Sequence, residues 1–141
     1  FYEDPTVHFL SIHRFGNGFY PGTGAAGETG LGHGLGTTQN IPLRPGISRS
    51  DFRKALKDGL DKAGQHQPEL ILLSAGFDAC RADPVGDLGL EPEDYALMTE
   101  DLLNLARVHC GGRIVSLLEG GYNLDQLSKS VVHHAETLLG G

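Results

Sequence analysis

Leu70-Ile71-Leu72-Leu73-Ser74-Ala75 is apolar at every position but one, and it stops at Gly76-Phe77-Asp78-Ala79. A strand with one wet face alternates apolar and polar residues, whereas a short continuous run suits a strand covered on both faces. A second run, Arg113-Ile114-Val115-Ser116-Leu117-Leu118, ends at Glu119-Gly120-Gly121-Tyr122-Asn123. Helical periods flank both runs. Phe52, Ala55, Leu56, Leu60 and Ala63 form one stripe, with Ser48 and Ser50 as candidate N-caps. Tyr95, Met98, Leu102, Leu105 and Ala106 form a second, with Pro92, Glu93 and Asp94 in its expected first turn. Leu124, Leu127, Val131, Ala135 and Leu138 form a third, ending at Gly140-Gly141. Strands alternating with helices predict an α/β fold, a parallel sheet with helices on both faces. Ligands of such sheets bind beyond the carboxyl ends of the strands, so the chemistry is expected at Gly76–Ala79 and Glu119–Asn123.

Upstream, Val7-His8-Phe9-Leu10-Ser11-Ile12-His13 reads as a strand with Val7, Phe9, Ser11 and His13 on one face. Asn40-Ile41-Pro42-Leu43 reads as a short extended piece that its proline confines to an edge or a strand end. Between them, Gly16 to Gly36 holds nine of the 21 glycines, with no helical period. A long loop of this kind in a compact domain is usually functional or disordered. Gly22-Thr23-Gly24-Ala25-Ala26-Gly27 matches G-x-G-x-x-G, but a dinucleotide site needs a strand directly before it and a helix opening within it. Neither is expected here, and a tight glycine-rich loop is the plainer reading.

The 141 residues fit one domain or part of a larger one; 39% are hydrophobic and 21% charged. A formal charge of −7 argues against nucleic-acid binding, which leaves a basic footprint. No apolar run approaches the roughly 20 residues of a membrane span. Cys80 and Cys110 lie far apart and form no C-x-x-C pair, so two packed thiols in a reducing compartment are expected. The composition predicts a soluble, mildly acidic globular protein, cytoplasmic, or nuclear if the source is eukaryotic. The abrupt opening Phe1-Tyr2-Glu3-Asp4-Pro5, without an initiator Met, suggests a fragment.

Two residues on the expected rim carry chemistry. Asp78 behind a glycine could form a turn or cap a helix, or it could offer a carboxylate to a metal. Tyr122 could anchor a turn, or its hydroxyl could donate to an oxyanion. Position alone leaves both pairs of readings open.

Taken together, Phe19-Tyr20-Pro21-Gly22-Thr23-Gly24, Ser74-Ala75-Gly76-Phe77-Asp78-Ala79 and Leu118-Glu119-Gly120-Gly121-Tyr122-Asn123-Leu124 resemble the histone deacetylase and acetylpolyamine amidohydrolase superfamily. The opening Phe1–Pro5 and Ser11-Ile12-His13-Arg14 fit the same pattern, and the motifs look more like the class II and bacterial branches. The resemblance spans essentially all of residues 1–141 and implies the C-terminal part of an arginase/deacetylase-like catalytic domain, incomplete here. It implies Asp78 as a ligand of a catalytic Zn2+ and Tyr122 as the phenol facing the acetyl carbonyl. It implies Phe19 and Tyr20 as the aromatic wall of an acyl-lysine channel, and Gly120 as backbone against the substrate's alkyl chain. Ser11 and Ile12 match part of a buried K+ site, and Phe1, Asp4, Val7 and Thr37 match carbonyl donors of a second.

The implied reaction is zinc-dependent hydrolysis of an acetyl amide, on an acetylated protein or a small acetylated amine, with a histidine base. The family places an aspartate and a histidine ligand just upstream of the position matching Phe1, and a pair of adjacent histidines further upstream. Catalytic zinc typically needs three protein ligands, and this chain offers one, so the chain alone is expected to be inactive. A catalytically dead deacetylase-like interaction module is the alternative. His133-His134 does not replace the missing pair, because neighbouring helical side chains diverge by about 100°. His8, His33, His66 and His109 are expected to be structural, and His13, nearer the rim, is not expected to be catalytic.

Overall fold

The computed structural model describes residues 1–16 and 18–140. Its elements, in chain order, are β1 (Phe9–Arg14), a 3-10 turn (Gly32–Gly34), β2 (Thr38–Leu43), α1 (Arg49–Gly64), β3 (Ile71–Ala75), α2 (Asp94–Cys110), β4 (Ile114–Leu118) and α3 (Leu124–Gly140). All three expected helices and all four expected strands are present. Ser48 caps α1, its Oγ accepting from Asp51 N at 3.0 Å, as its position before the apolar stripe predicts. Asn123 caps α3: its carbonyl accepts from Leu127 N at 2.8 Å and its Oδ1 from Gln126 N at 3.3 Å.

The strands form two parallel pairs, β1 with β2 and β3 with β4. Ile12 stands opposite Ile41, and Leu73 opposite Ser116. β2 begins two residues before the expected Asn40, and Pro42 is tolerated on it, opposite His13, because β2 is an outer strand among the described residues. One apolar cluster bridges both pairs: Leu43 and Phe52 from the first half meet Ala75, Phe77, Cys80, Leu90 and Tyr95 from the second. Arg49 ties the starts of α1 and α2 together through two bonds to the buried Asp94, at 2.6 and 2.9 Å.

Along β3 and β4, Ile71, Leu73 and Ala75 turn inward, while Leu72, Ser74, Val115 and Leu117 are exposed. The parallel α/β architecture is the expected one, and within this chain that second face of the β3–β4 pair stands open. The α3 stripe also differs from expectation. Leu124 is exposed, and the two buried positions are polar, Ser130 and His134. Thr99 Oγ1 donates to Tyr95 O at 2.6 Å, so it accepts from His134 Nδ1–H at 2.7 Å, and His134 Nε2 accepts from the Ser116 hydroxyl at 2.8 Å. Both ring nitrogens are satisfied in the neutral form, which removes the penalty for burying them, and burial holds the imidazole's pKa below its ordinary value. His134 is thus a core residue, and it links α2, β4 and α3. Cys80 and Cys110 are free and buried, as expected. Among the described residues no helix is long and apolar enough to cross a membrane.

Candidate active site at the strand ends

Beyond Ala75 and Leu118 the two chains continue side by side. Glu119 N donates to Ala75 O at 3.0 Å, and Phe77 N donates to Gly120 O at 2.8 Å. These bonds extend the β3–β4 ladder and set Asp78 beside Gly120, two residues before Tyr122. The carboxylate of Asp78 lies in a space kept open by glycines. A Cβ on Gly120 would come within 2.8 Å of Asp78 Oδ1, one on Gly76 within 2.9 Å, and one on Gly86 within 2.9 Å of Oδ2. Asp78 is half-buried, and burial followed by the nearby charge of Asp83 pushes its pKa upward, against a hydrogen bond from its own backbone N–H. No side chain among the described residues donates to it.

A half-buried carboxylate, raised in pKa and without a cationic partner, suits one oxygen ligand of a metal ion. The described residues contain no group of three or more His, Cys, Asp or Glu side chains able to hold a metal. The donor set fits zinc at one position only, Asp78.

Tyr122 is 57% exposed. It follows Gly121, whose φ of 139° carries the chain under Leu127 and against Phe77, where a Cβ would approach within 2.7 and 3.2 Å. Asp78 and Tyr122 therefore stand on adjacent loops at the same end of the sheet, as their places after the two apolar runs predict. A concavity of about 530 Å³, lined by Leu103, Arg107, Ile114 and Leu138, lies at the opposite end of β4, where this fold does not bind ligands.

Arg14, at the end of β1, brings the glycine-rich loop to the same rim. Its Nη1 donates to Val85 O at 2.8 Å and Gly86 O at 3.1 Å, while its guanidinium lies 4.6 Å from the centre of the Phe19 ring. Phe19 is half-buried against this support, and Tyr20 is 88% exposed. The two aromatics do not form a closed channel within this chain. The G-x-G-x-x-G stretch opens no helix, and Gly24 N and Ala25 N donate to Glu28 Oε1 at 3.0 and 2.9 Å. An internal carboxylate thus takes the amides that a phosphate would need.

His13 is a staple. Its Nε2 donates to Gly24 O at 2.9 Å, so in the neutral ring Nδ1 accepts from the Ser11 hydroxyl at 2.8 Å. This leaves the Ser11 oxygen lone pairs free for a cation. Phe9 N and Phe15 N both donate across to β2, to Thr37 O and Leu43 O. In a parallel ladder this directs the odd-numbered residues toward β2 and the Ile12 carbonyl away from it. Of the positions matching a second cation site, Phe1 O already accepts from Asp4 N at 3.0 Å and Thr37 O from Phe9 N at 2.9 Å.

One participant is not apparent from sequence. Asp83 is 5% exposed. Its Oδ1 accepts from Val85 N at 2.8 Å and Gly86 N at 3.1 Å, and its Oδ2 from Tyr122 N at 2.8 Å and Asn123 N at 3.2 Å. Burial opposes its charge, but the four donors outweigh it and hold the pKa below the ordinary value.

Over residues 1–138 the sequence matches the family described as the histone deacetylase domain. The chain belongs to that family of deacetylases. It is 43% identical to histone deacetylase 14, chloroplastic, of Arabidopsis thaliana, over 99% of this chain and 33% of that protein. The crystal structure of the HDA15 HD domain superposes with a TM-score of 0.90 at 39% identity, covering 99% of this chain and 39% of that one. The acetylpolyamine aminohydrolase of Burkholderia pseudomallei superposes with a TM-score of 0.83 at 27% identity, covering 94% of this chain and 37% of that one. These likenesses establish the parallel α/β deacetylase fold. The chain spans about a third of the length of such relatives.

Proposed function

We propose that the protein carrying this chain hydrolyses acetyl amides, on acetyl-lysine or acetylated polyamines, and that residues 1–141 are the C-terminal part of its catalytic domain. The observation that carries this is the pairing of Asp78, a carboxylate with no side-chain partner among the described residues and set in a glycine-lined space, with Tyr122 on the adjoining strand end. Asp78 is one ligand of a zinc ion whose other donors lie outside this chain. When bound, zinc supplies Lewis-acid polarisation of the acetyl carbonyl and an acidified water. Tyr122 donates its hydroxyl proton in a hydrogen bond to the carbonyl oxygen as negative charge develops there, a stabilisation that grows toward the transition state. Phe19 and Tyr20 flank the alkyl chain of the amine, and the Gly120 backbone lies against it without a side chain to intrude. Ser11 and Ile12 offer oxygens to a K+ ion behind the site.

The test is hydrolysis of acetyl-lysine peptides and acetylpolyamines by the complete protein, with zinc content measured in parallel. Tyr122→Phe is expected to lower kcat by roughly 10²–10³-fold with zinc retained. A complete protein that holds stoichiometric zinc yet leaves every such substrate intact would overturn the proposal. It would favour an interaction module instead.

A further inference from the structure

We propose that Asp83 is a positioning residue for this reaction: its carboxylate latches the main chain of Tyr122 to the loop that carries Asp78, and so fixes where the phenol stands. The inference rests on the deacetylase activity proposed above. Little else holds Tyr122. Its ring is more than half exposed, and no hydrogen bond reaches its hydroxyl among the described residues. Two residues without side chains precede it: Gly121 is packed under Leu127 and against Phe77, but neither glycine carries a side chain that could fix where the ring stands. The bonds from Tyr122 N and Asn123 N to Asp83 Oδ2 fasten the turn at Tyr122, two residues beyond the Phe77–Gly120 bond.

The other end of the latch is equally specific. Asp83 Oδ1 gathers Val85 N and Gly86 N, and Gly86 is the residue packed against Asp78, where a Cβ would lie 2.2 Å from the Asp78 carbonyl oxygen. Asp87 N donates to that same carbonyl at 2.9 Å. Asn123 reinforces the link, its Nδ2 donating to Ala82 O at 3.2 Å while its Oδ1 caps α3. One carboxylate therefore joins the metal-suited loop, the phenol loop and the start of α3. It takes four N–H donors, the most that the lone pairs of its two oxygens accommodate. An amide in its place retains one good acceptor and turns an NH2 group toward two N–H donors.

In the complete wild-type protein, the Tyr122 and Asn123 amides are expected to exchange with solvent at least about 100-fold more slowly than unstructured ones, despite their loop position. Asp83→Asn is expected to speed exchange at one pair of latched amides, Tyr122/Asn123 or Val85/Gly86. It should lower kcat by about 10- to 100-fold while zinc content and KM stay within about twofold. In a Tyr122→Phe background the same substitution is expected to cost less than about threefold, because the group it positions is already gone. Unprotected wild-type amides at Tyr122 and Asn123 overturn the latch without need of any variant. Fully additive losses, or a loss explained by missing zinc, overturn the positioning role alone. A fully active Tyr122→Phe protein instead overturns the catalytic assignment of the phenol, and Asp83's role with it.

Discussion

Gly120→Ala is a sparing way to disturb the candidate site. Gly120 does not occupy the left-handed backbone region, so alanine adds a methyl group without backbone strain. That methyl would sit 2.8 Å from Asp78 Oδ1 and 2.9 Å from Cγ, where ordinary contact begins at 3.4 Å. The carboxylate must move by about 0.6 Å or rotate away, and misplacement of a reacting group by about 1 Å can cost 10²-fold in rate. Because the clash falls on the end of a side chain, the fold is expected to survive it. In the complete protein, kcat/KM for an acetylated substrate should fall by about 30- to 100-fold, or roughly 2–2.7 kcal/mol, and zinc affinity should weaken with it. Gly27→Ala is the control, because a Cβ there meets nothing within 4 Å. A Gly120→Ala protein with wild-type zinc affinity and wild-type turnover would refute the assignment of Asp78.

Arg49→Ala removes the main partner of the buried Asp94 and is expected to lower stability, because the carboxylate is left buried without its counter-charge; a urea midpoint equal to wild type would count against it. His134→Ala leaves the Thr99 and Ser116 hydroxyls without their shared ring and is expected to cost about 2–4 kcal/mol, read by thermal unfolding. His8 stacks on His66 with ring centroids 4.0 Å apart, and its two nitrogens are buried without partners. Burial, then the charges of His66 and Lys62, push its pKa from 6.5 down to about 4, and the neighbouring Gln39 side chain, which does not reach hydrogen-bond geometry, offsets this only in part. The unfolded chain therefore binds a proton at this site below pH 6.5 that the fold refuses until about pH 4, so stability falls as the pH drops through that window. His8→Leu is expected to remove about 1 kcal/mol of that loss, allowing for solvent screening. A pH profile of unfolding unchanged by the substitution would dismiss it.

What the sequence discloses is what repeats within one element. The runs at Leu70 and Arg113 and the stripes through Phe52 and Tyr95 announce themselves because burial imposes its own period on each. That Asp78 and Tyr122 share one rim was legible because each falls a few residues past a strand end; their proposed roles come from the family resemblance, not from position. His134 was not, because its suitability for the core depends on Thr99 and Ser116, which arrive from two other elements. Asp83 was hidden for the same reason. Between Ala82 and Pro84 it has the look of a turn former, and two of its four partners lie 39 and 40 residues away. Ser130 would be an error on an apolar stripe were it not for Cys80 Sγ at 3.3 Å and Gln126 O at 2.8 Å. Leu124 continues the period but begins α3, where the described residues leave it 75% exposed.

Arg14 grips the carbonyls of Val85 and Gly86 with the same guanidinium on which Phe19 rests. On the proposed reading, in which Phe19 flanks the amine, pressure on that ring would travel through one planar group to the segment packed against Asp78. Grip on the substrate and readiness of the carboxylate would then share a single bearing, so that evolution could not retune one without nudging the other.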